Sequence, residues 1–270
     1  MKRRTFVKRT FLGITSAGLL SAFYAWQVEP FWLEFVRIKM PIKNLPDDLA
    51  GKTLMQISDI HVGSRFDYRY LIESLKKAQE FAPDFVAYTG DYVTAHKEEV
   101  QYNKLSEVLK NSVKGRLGTV GILGNHDYGR NWSQKHVANK VAAMLVENGI
   151  FVLRNEQIEL NGLNLIGLDD YWGTNFNPEI VMSKCDTTRP SVLLCHNPDV
   201  CDLDIWNNYK GWILSGPERP ERYPPDKFKK ENPGNYRCFE KYSYRIAYKH
   251  TEKEIRILRV RHVKQEPKEY

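Results

Sequence analysis

Three observations predict a layered α/β fold. Short apolar runs alternate with longer segments of helical period, the runs are mostly apolar throughout rather than at every second residue, and several end on a small polar island. Such uniformly apolar strands are covered on both faces. Ligand sites in open α/β sheets gather beyond the carboxyl ends of the strands, where each island falls.

The elements follow in order. Leu54-Met55-Gln56-Ile57-Ser58 is a short strand ending at Asp59, and Tyr70, Leu71, Ile72, Leu75 and Ala78 are spaced near a helical period over 69–80. Pro83 precedes the strand Phe85-Val86-Ala87-Tyr88, which runs into Gly90-Asp91, and a second helix covers 98–110. Thr119 to Leu123 forms the third strand and delivers Gly124-Asn125-His126-Asp127, ahead of a third helix over 133–147. Paired strands are expected around 150–153, 157–160 and 163–168. Ser191 to Cys195 then ends at His196, and Trp212-Ile213-Leu214 leads to Ser215-Gly216. By composition, residues 1–40 form a targeting and membrane-associated lead, 41–51 a linker, 52–216 the core domain and 217–270 a divergent basic segment.

Composition narrows the function classes. The chain of 270 residues is 42% hydrophobic, enough for one sizeable core, and carries a formal charge of +7. Much of the basic excess sits in Lys2, Arg3, Arg4, Lys8 and Arg9 and in the tail from Lys227 to Lys268, away from islands rich in Asp and His. That distribution argues against nucleic acid as the main partner. Cys185, Cys195, Cys201 and Cys238 show neither CxxC nor finger spacing, so no structural zinc site or disulfide scaffold is indicated. His96, His136, His250 and His262 stand alone and are assigned to the surface.

The apolar stretch from Phe11 to Phe23 is short and rich in Gly and Ser for a spanning helix. Arg3-Arg4-Thr5-Phe6-Val7-Lys8 resembles the twin-arginine export signal of bacteria, a receptor-read address. Trp26, Pro30, Phe31, Trp32, Phe35 and Val36, with Arg37 and Lys39, suit an interfacial segment. The expectation is an exported protein, periplasmic or on the outer face of the cytoplasmic membrane and anchored by an uncleaved lead. An ordinary amphipathic or anchoring helix is the alternative.

The islands have the chemistry of a metal site. Asp59 and His61 follow one strand and face one point across the turn; carboxylate plus imidazole suits Mn, Fe, Zn or Co better than Mg or Ca. Asp91 follows Gly90, which permits close backbone approach and leaves room for a bridging carboxylate. Asn125 offers a neutral oxygen and His196 a further nitrogen. An Asp after a Gly is most often a turn, yet turns do not explain suitable groups at four successive strand ends.

Asp59-Ile60-His61, Gly90-Asp91-Tyr92-Val93, Gly124-Asn125-His126-Asp127 and His196-Asn197-Pro198, in this order, resemble the motifs of the calcineurin-like metallophosphoesterases over about 50–216. Within that family the chain looks like the small bacterial YaeI-type phosphodiesterase branch. The resemblance implies a four-layer αββα sandwich and two divalent transition metals at its edge. Asp59 and His61 would then hold the first metal, Asp91 would bridge, and Asn125 and His196 would hold the second. His126 would stabilise the phosphoryl group or protonate the leaving oxygen, oriented by Asp127, while a hydroxide activated by both metals attacks. Small-molecule or lipid-linked phosphoesters are the implied substrates, and Trp132, Tyr171 and Trp172 could line an apolar approach for them.

One motif departs from the family. Its closing Gly-His-x-His-Gly-Gly supplies one imidazole to each metal, whereas Ser215-Gly216 is followed here by Pro217-Glu218-Arg219-Pro220-Glu221-Arg222. Glu218 is the nearest substitute. A frameshifted tail and an evolved variant both account for 217–270, and the alternation in Tyr242–Tyr248 and Ile255–Val260 suits a divergent pair of strands completing the second sheet. Three functions therefore compete: a metal-dependent phosphoesterase, a membrane-apposed relative that kept the scaffold but lost turnover, and a weak nucleic-acid or anionic-lipid binder. The last would use the tail, where Tyr223, Phe228, Tyr236 and Phe239 interleave with lysines.

Overall fold

The computed structural model describes residues 33–63, 67–94, 99–186, 188–197 and 212–214. It also describes a few positions between 15 and 31, residue 200, and the backbone of three strands between 236 and 262. The twin-arginine-like residues 3–8, Pro198 and residues 215–222 lie outside the described residues. Two compact units are present, Met1–Ile38 and Lys39–Tyr270. Among the described residues no helix is long and apolar enough to cross a membrane.

The first sheet holds β1 (Leu54–Ile57), β2 (Phe85–Tyr88), β3 (Gly118–Gly121) and β4 (Phe151–Val152), in that order and all parallel. The second holds β5 (Glu156–Leu160), β6 (Leu163–Gly167), β7 (Ser191–Leu194) and β8 (Trp212–Leu214), parallel except for the β5–β6 hairpin. Of the strands expected to pair over 150–168, only β5 and β6 do so. Phe151–Val152 instead joins β3 in the other sheet, because Leu153 donates to the Gly121 carbonyl and carries the chain along that edge. The backbone of β9 (Tyr236–Lys241), β10 (Tyr244–His250) and β11 (Ile255–His262) forms an antiparallel meander.

Strands that look uniformly apolar in sequence still alternate in space. In β2, Phe85 and Ala87 turn inward with Val120, Ile122, Leu163, Leu165, Val192 and Leu194, forming the core between the sheets. Val86 and Tyr88 turn outward into a second core under the helices. Those helices are α1 (Tyr68–Gln79), α2 (Glu99–Leu109) and α3 (Lys135–Glu147). Helix α1 starts where the Asp67 side chain accepts the Arg69 N–H at 2.7 Å, and it buries Leu71, Leu75 and Ala78. Helix α3 buries Ala138, Val141 and Leu145 at the same periodicity. On the outer face of the second sheet, Ile166, Leu193 and Cys195 pack with Val181 of the short helix α4 (Glu179–Met182), which sequence periodicity did not reveal. The layers run helix, sheet, sheet, helix. The expected αββα sandwich is present, with the C-terminal ends of β1, β2, β3, β6 and β7 delivering the polar islands.

Candidate metal centre

The turns after β1 and β2 continue the sheet before they diverge. Asp59 donates its N–H to the Gly90 carbonyl, His61 to Asp91 and Val62 to Tyr92, at 2.8–3.0 Å. Asp59, His61 and Asp91 all have left-handed backbone, with φ of 56°, 40° and 59°. This conformation is uncommon for residues with a side chain and clusters at functional sites, where it turns side chains out of the strand alternation. Here it aims three donors at one place.

Gly90 and Gly124 make the close approach possible. A methyl on Gly90, whose φ is +96°, would lie 2.5 Å from the Gly124 nitrogen. One on Gly124 would meet the Asp91 nitrogen at 2.6 Å and overlap its carboxylate. The two motif glycines are therefore one feature, a pair of loops touching without side chains.

Asp91 is the centre of the cluster and is buried. Its Oδ1 accepts the His126 N–H at 3.0 Å; its Oδ2 lies 3.4 Å from His61 Nε2 and 3.2 Å from His196 Nε2. Asp59 Oδ1 is 3.4 Å from His61 Nε2. Two donor groups result, His61 with Asp91 and His126, and Asp59 with Asp91 and His196, the atoms of each lying within 4.8 Å of one another. Asp91 is common to both, as a bridging carboxylate must be. Asp59 thus lies near both His61 and His196, and the His126 ring sits 4.9 Å from that of His61 in an edge arrangement. Asn125 is buried in the 3-10 turn Asn125–Tyr128 beside these groups.

Asp127 acts on the backbone of the loops that carry these groups. Its carboxylate is fully buried and accepts four backbone N–H groups: Asp91 and Gly124 on Oδ2 at 2.9 Å, Tyr92 and Val93 on Oδ1 at 2.8 and 3.3 Å. It braces the two glycine loops. His196 bridges the sheets, its Nδ1–H donating to the Thr89 carbonyl at 2.8 Å, which leaves Nε2 directed at Asp91.

The electrostatics are those of a cation site. Burial alone would lower the His196 pKa, yet Asp91, Asp59 and Asp170 hold it up at about 10. His61 is likewise raised against its burial by Asp59, Asp91 and Asp127. Burial works to raise Asp59 too, but His61, His196 and Ser58 bring it down to about 2. Protons on the imidazoles supply the positive charge that bound metals would supply, and metal binding would displace them. Carboxylates and imidazoles at these separations fit two divalent transition metals.

A further buried acid stands at a neighbouring strand end. Asp170, beyond β6, is buried within reach of the charges of His196 and Asp91. Leu168-Asp169-Asp170 is an apolar strand running into acids, the same signal that marked the other islands.

A parallel-strand sandwich with two metal-binding clusters sharing one carboxylate defines a metal-dependent hydrolase. The chain belongs to the calcineurin-like phosphoesterase family, whose profile matches residues 52–240 and so runs past Gly216. It is a metal-dependent phosphoesterase by family and by site. Among relatives, it is 25% identical to the UDP-2,3-diacylglucosamine pyrophosphatase LpxG of Chlamydia muridarum over 245 residues, 74% of this chain and 73% of that protein. The Chlamydia trachomatis protein of the same name is 24% identical over 230 residues, 69% of each chain. The uncharacterized metallophosphoesterase YkuE of Bacillus subtilis is 27% identical over 208 residues, 74% of this chain and 70% of that one.

Proposed function

We propose that this phosphoesterase cleaves a phosphodiester or pyrophosphate linkage in an amphiphilic, nucleotide-linked substrate at the outer face of the cytoplasmic membrane. The observation that carries this reading is an aromatic pair at the rim. Trp132 and Trp172 stack with centroids 5.1 Å apart while remaining 38% and 47% exposed. Trp132 follows the turn that carries Asn125 and His126, and the Trp172 N–H is held by Asp170. An exposed aromatic surface joined to both metal-site loops suits an apolar chain whose phosphate is being processed nearby. The names of the Chlamydia relatives and the basic, apolar N-terminal lead support the same reading, and the lead supports a place in the YaeI-type branch.

Two divalent cations held by these side chains, manganese among the candidates, would lower the pKa of a bound water and neutralise charge on the phosphoryl oxygens. The protein does the rest. Asp91 fixes the spacing of both donor groups, His61 and His196 present their Nε2 atoms to it, and His126 stands beside His61 to pass a proton to the leaving oxygen.

Turnover of UDP-2,3-diacylglucosamine, of its unacylated UDP-sugar counterpart and of bis(p-nitrophenyl) phosphate by the manganese-loaded chain tests the proposal. Paired Trp132→Ala and Trp172→Ala substitutions should lower kcat/KM for the acylated substrate selectively. Equal losses on all three substrates would remove the amphiphile reading. Two bound metals without turnover would instead favour the impaired relative suggested by Pro217–Arg222.

A further inference from the structure

We propose that Arg154 and Asn155, which join the two sheets, are positioning residues for substrate selection: through Asp169 they hold the loop that carries Trp172 against the turn that carries His126 and leads to Trp132. The inference rests on the reading that the paired indoles meet the apolar part of the substrate.

The two residues stand between β4 and β5, where the chain crosses from the first sheet to the second. From there they grip both ends of the loop after β6. Asn155 is buried and has left-handed backbone, with φ of 57°. Its Oδ1 accepts the N–H groups of Asp169 and Asn177, each at 3.2 Å, and its Nδ2 donates to the Asn175 carbonyl at 2.7 Å. Arg154 Nε donates to Asp169 Oδ2 at 2.9 Å, and Asn175 Nδ2 donates to the same oxygen at 2.6 Å. Trp172 lies within the segment so closed.

Arg154 also reaches the turn. Its Nη2 donates to the Tyr128 hydroxyl at 2.9 Å, and that hydroxyl donates to Asp169 Oδ1. Nη1 donates to Asn139 Oδ1 of α3 at 2.7 Å. Tyr128 closes the turn Asn125–Tyr128, and Trp132 ends the next one, Arg130–Trp132. A methyl on Gly173, beside Trp172, would come within 3.3 Å of the Tyr128 ring, so loop and turn are in contact.

Stability is a poor account of this network. A buried ion pair adds little net stability, since desolvation offsets its attraction, and it is better suited to select one arrangement over others. Arg154 and Asp169 belong to neither donor cluster, and the loops of Asp91 and Gly124 have their own brace in the Asp127 carboxylate. What remains for Arg154, Asp169 and Tyr128 to fix is the placement of Trp172 against Trp132, whose rings stack 5.1 Å apart although both are exposed.

Steady-state kinetics and circular dichroism of the full, manganese-loaded chain provide the test. Tyr128→Phe keeps the buried ring and removes only the hydroxyl. Arg154→Lys keeps a charge for Asp169 but lacks the fork that also meets Tyr128 and Asn139. Two stacked indoles give an exciton couplet, identified here by its loss in Trp172→Phe. Both network variants should weaken that couplet and raise KM for UDP-2,3-diacylglucosamine by at least ~10-fold with kcat held. Manganese content and turnover of bis(p-nitrophenyl) phosphate should stay at parent values, a split that general loosening of the fold does not produce. A parent-like couplet or a parent-like KM in Tyr128→Phe, the milder change, would overturn the inference, as would a parallel loss of manganese or of simple-ester turnover. If paired Trp132→Ala and Trp172→Ala substitutions leave the preference for the acylated substrate intact, the amphiphile reading fails and this inference with it. A preference lost there but kept in both network variants overturns this inference alone.

Discussion

Replacing Asp127 by asparagine exchanges one of two buried acceptor oxygens for a donor. Whichever way the amide is turned, two of the four N–H groups from Asp91, Tyr92, Val93 and Gly124 lose their acceptor and face an NH2 instead. A buried donor left unsatisfied costs about 1–3 kcal/mol, so the substitution should destabilise the fold by about 2–6 kcal/mol. At about 2–4 °C per kcal/mol for a domain of this size, the melting temperature should fall by roughly 5–20 °C. The comparison belongs at pH 8, because burial and the charge of Asp91 push the Asp127 carboxyl up to about 7. Thermal and urea unfolding of metal-free protein, each with and without the substitution, measure the loss. A melting temperature within 2 °C of the parent, together with a large fall in turnover, would refute this reasoning and return Asp127 to the role of His126's orienting partner.

Three further outcomes are expected. Asp91→Ala should take bound metal, measured by plasma mass spectrometry, from two ions per chain towards none; a full ion retained would show that the carboxylate is not shared. Gly124→Ala forces a methyl against the Asp91 backbone and carboxylate, and should cost about 1–3 kcal/mol of stability through overpacking. It should also weaken metal uptake, and normal uptake would mean that the loops can part without disturbing Asp91. His196, raised to about 10 from an ordinary 6.5, contributes metal-free stability that is complete below pH 6.5 and lost as pH rises through 10. Melting temperature of the metal-free chain should fall across that window while apparent metal affinity climbs, with proton release visible by calorimetry in two buffers. A flat profile would argue that the imidazole is not charged in the metal-free protein.

The clustering of Asp59, His61, Asp91 and His196 is legible in the sequence because a strand end is a position, and a run of apolar residues announces it. The burial of Asp169 and Asp170 is not legible in the same way, since Asp-Asp before Tyr171, Trp172 and Gly173 reads equally well as a surface turn. The bracing done by Asp127 was invisible for another reason. Its partners are backbone N–H groups, which every residue has and no letter of the sequence records. Phe151–Val152 is too short for periodicity to say which sheet receives it, and the same brevity hid the helix Glu179–Met182. The facing glycines, by contrast, were half visible. In sequence Gly90 gives room to Asp91, and the second half of that clearance comes from Gly124, thirty-four positions away in the chain.

The bond from His196 to the Thr89 carbonyl joins the end of one sheet to the other, and Asp91 and His196 approach the same point from opposite slabs. The reaction centre is therefore a gauge across the seam of the molecule. Any slippage of one slab against the other changes the spacing of the donors before it disturbs either slab internally. The packed interior between Phe85, Ala87, Val192 and Leu194 thus sets the tolerance to which the chemistry is machined.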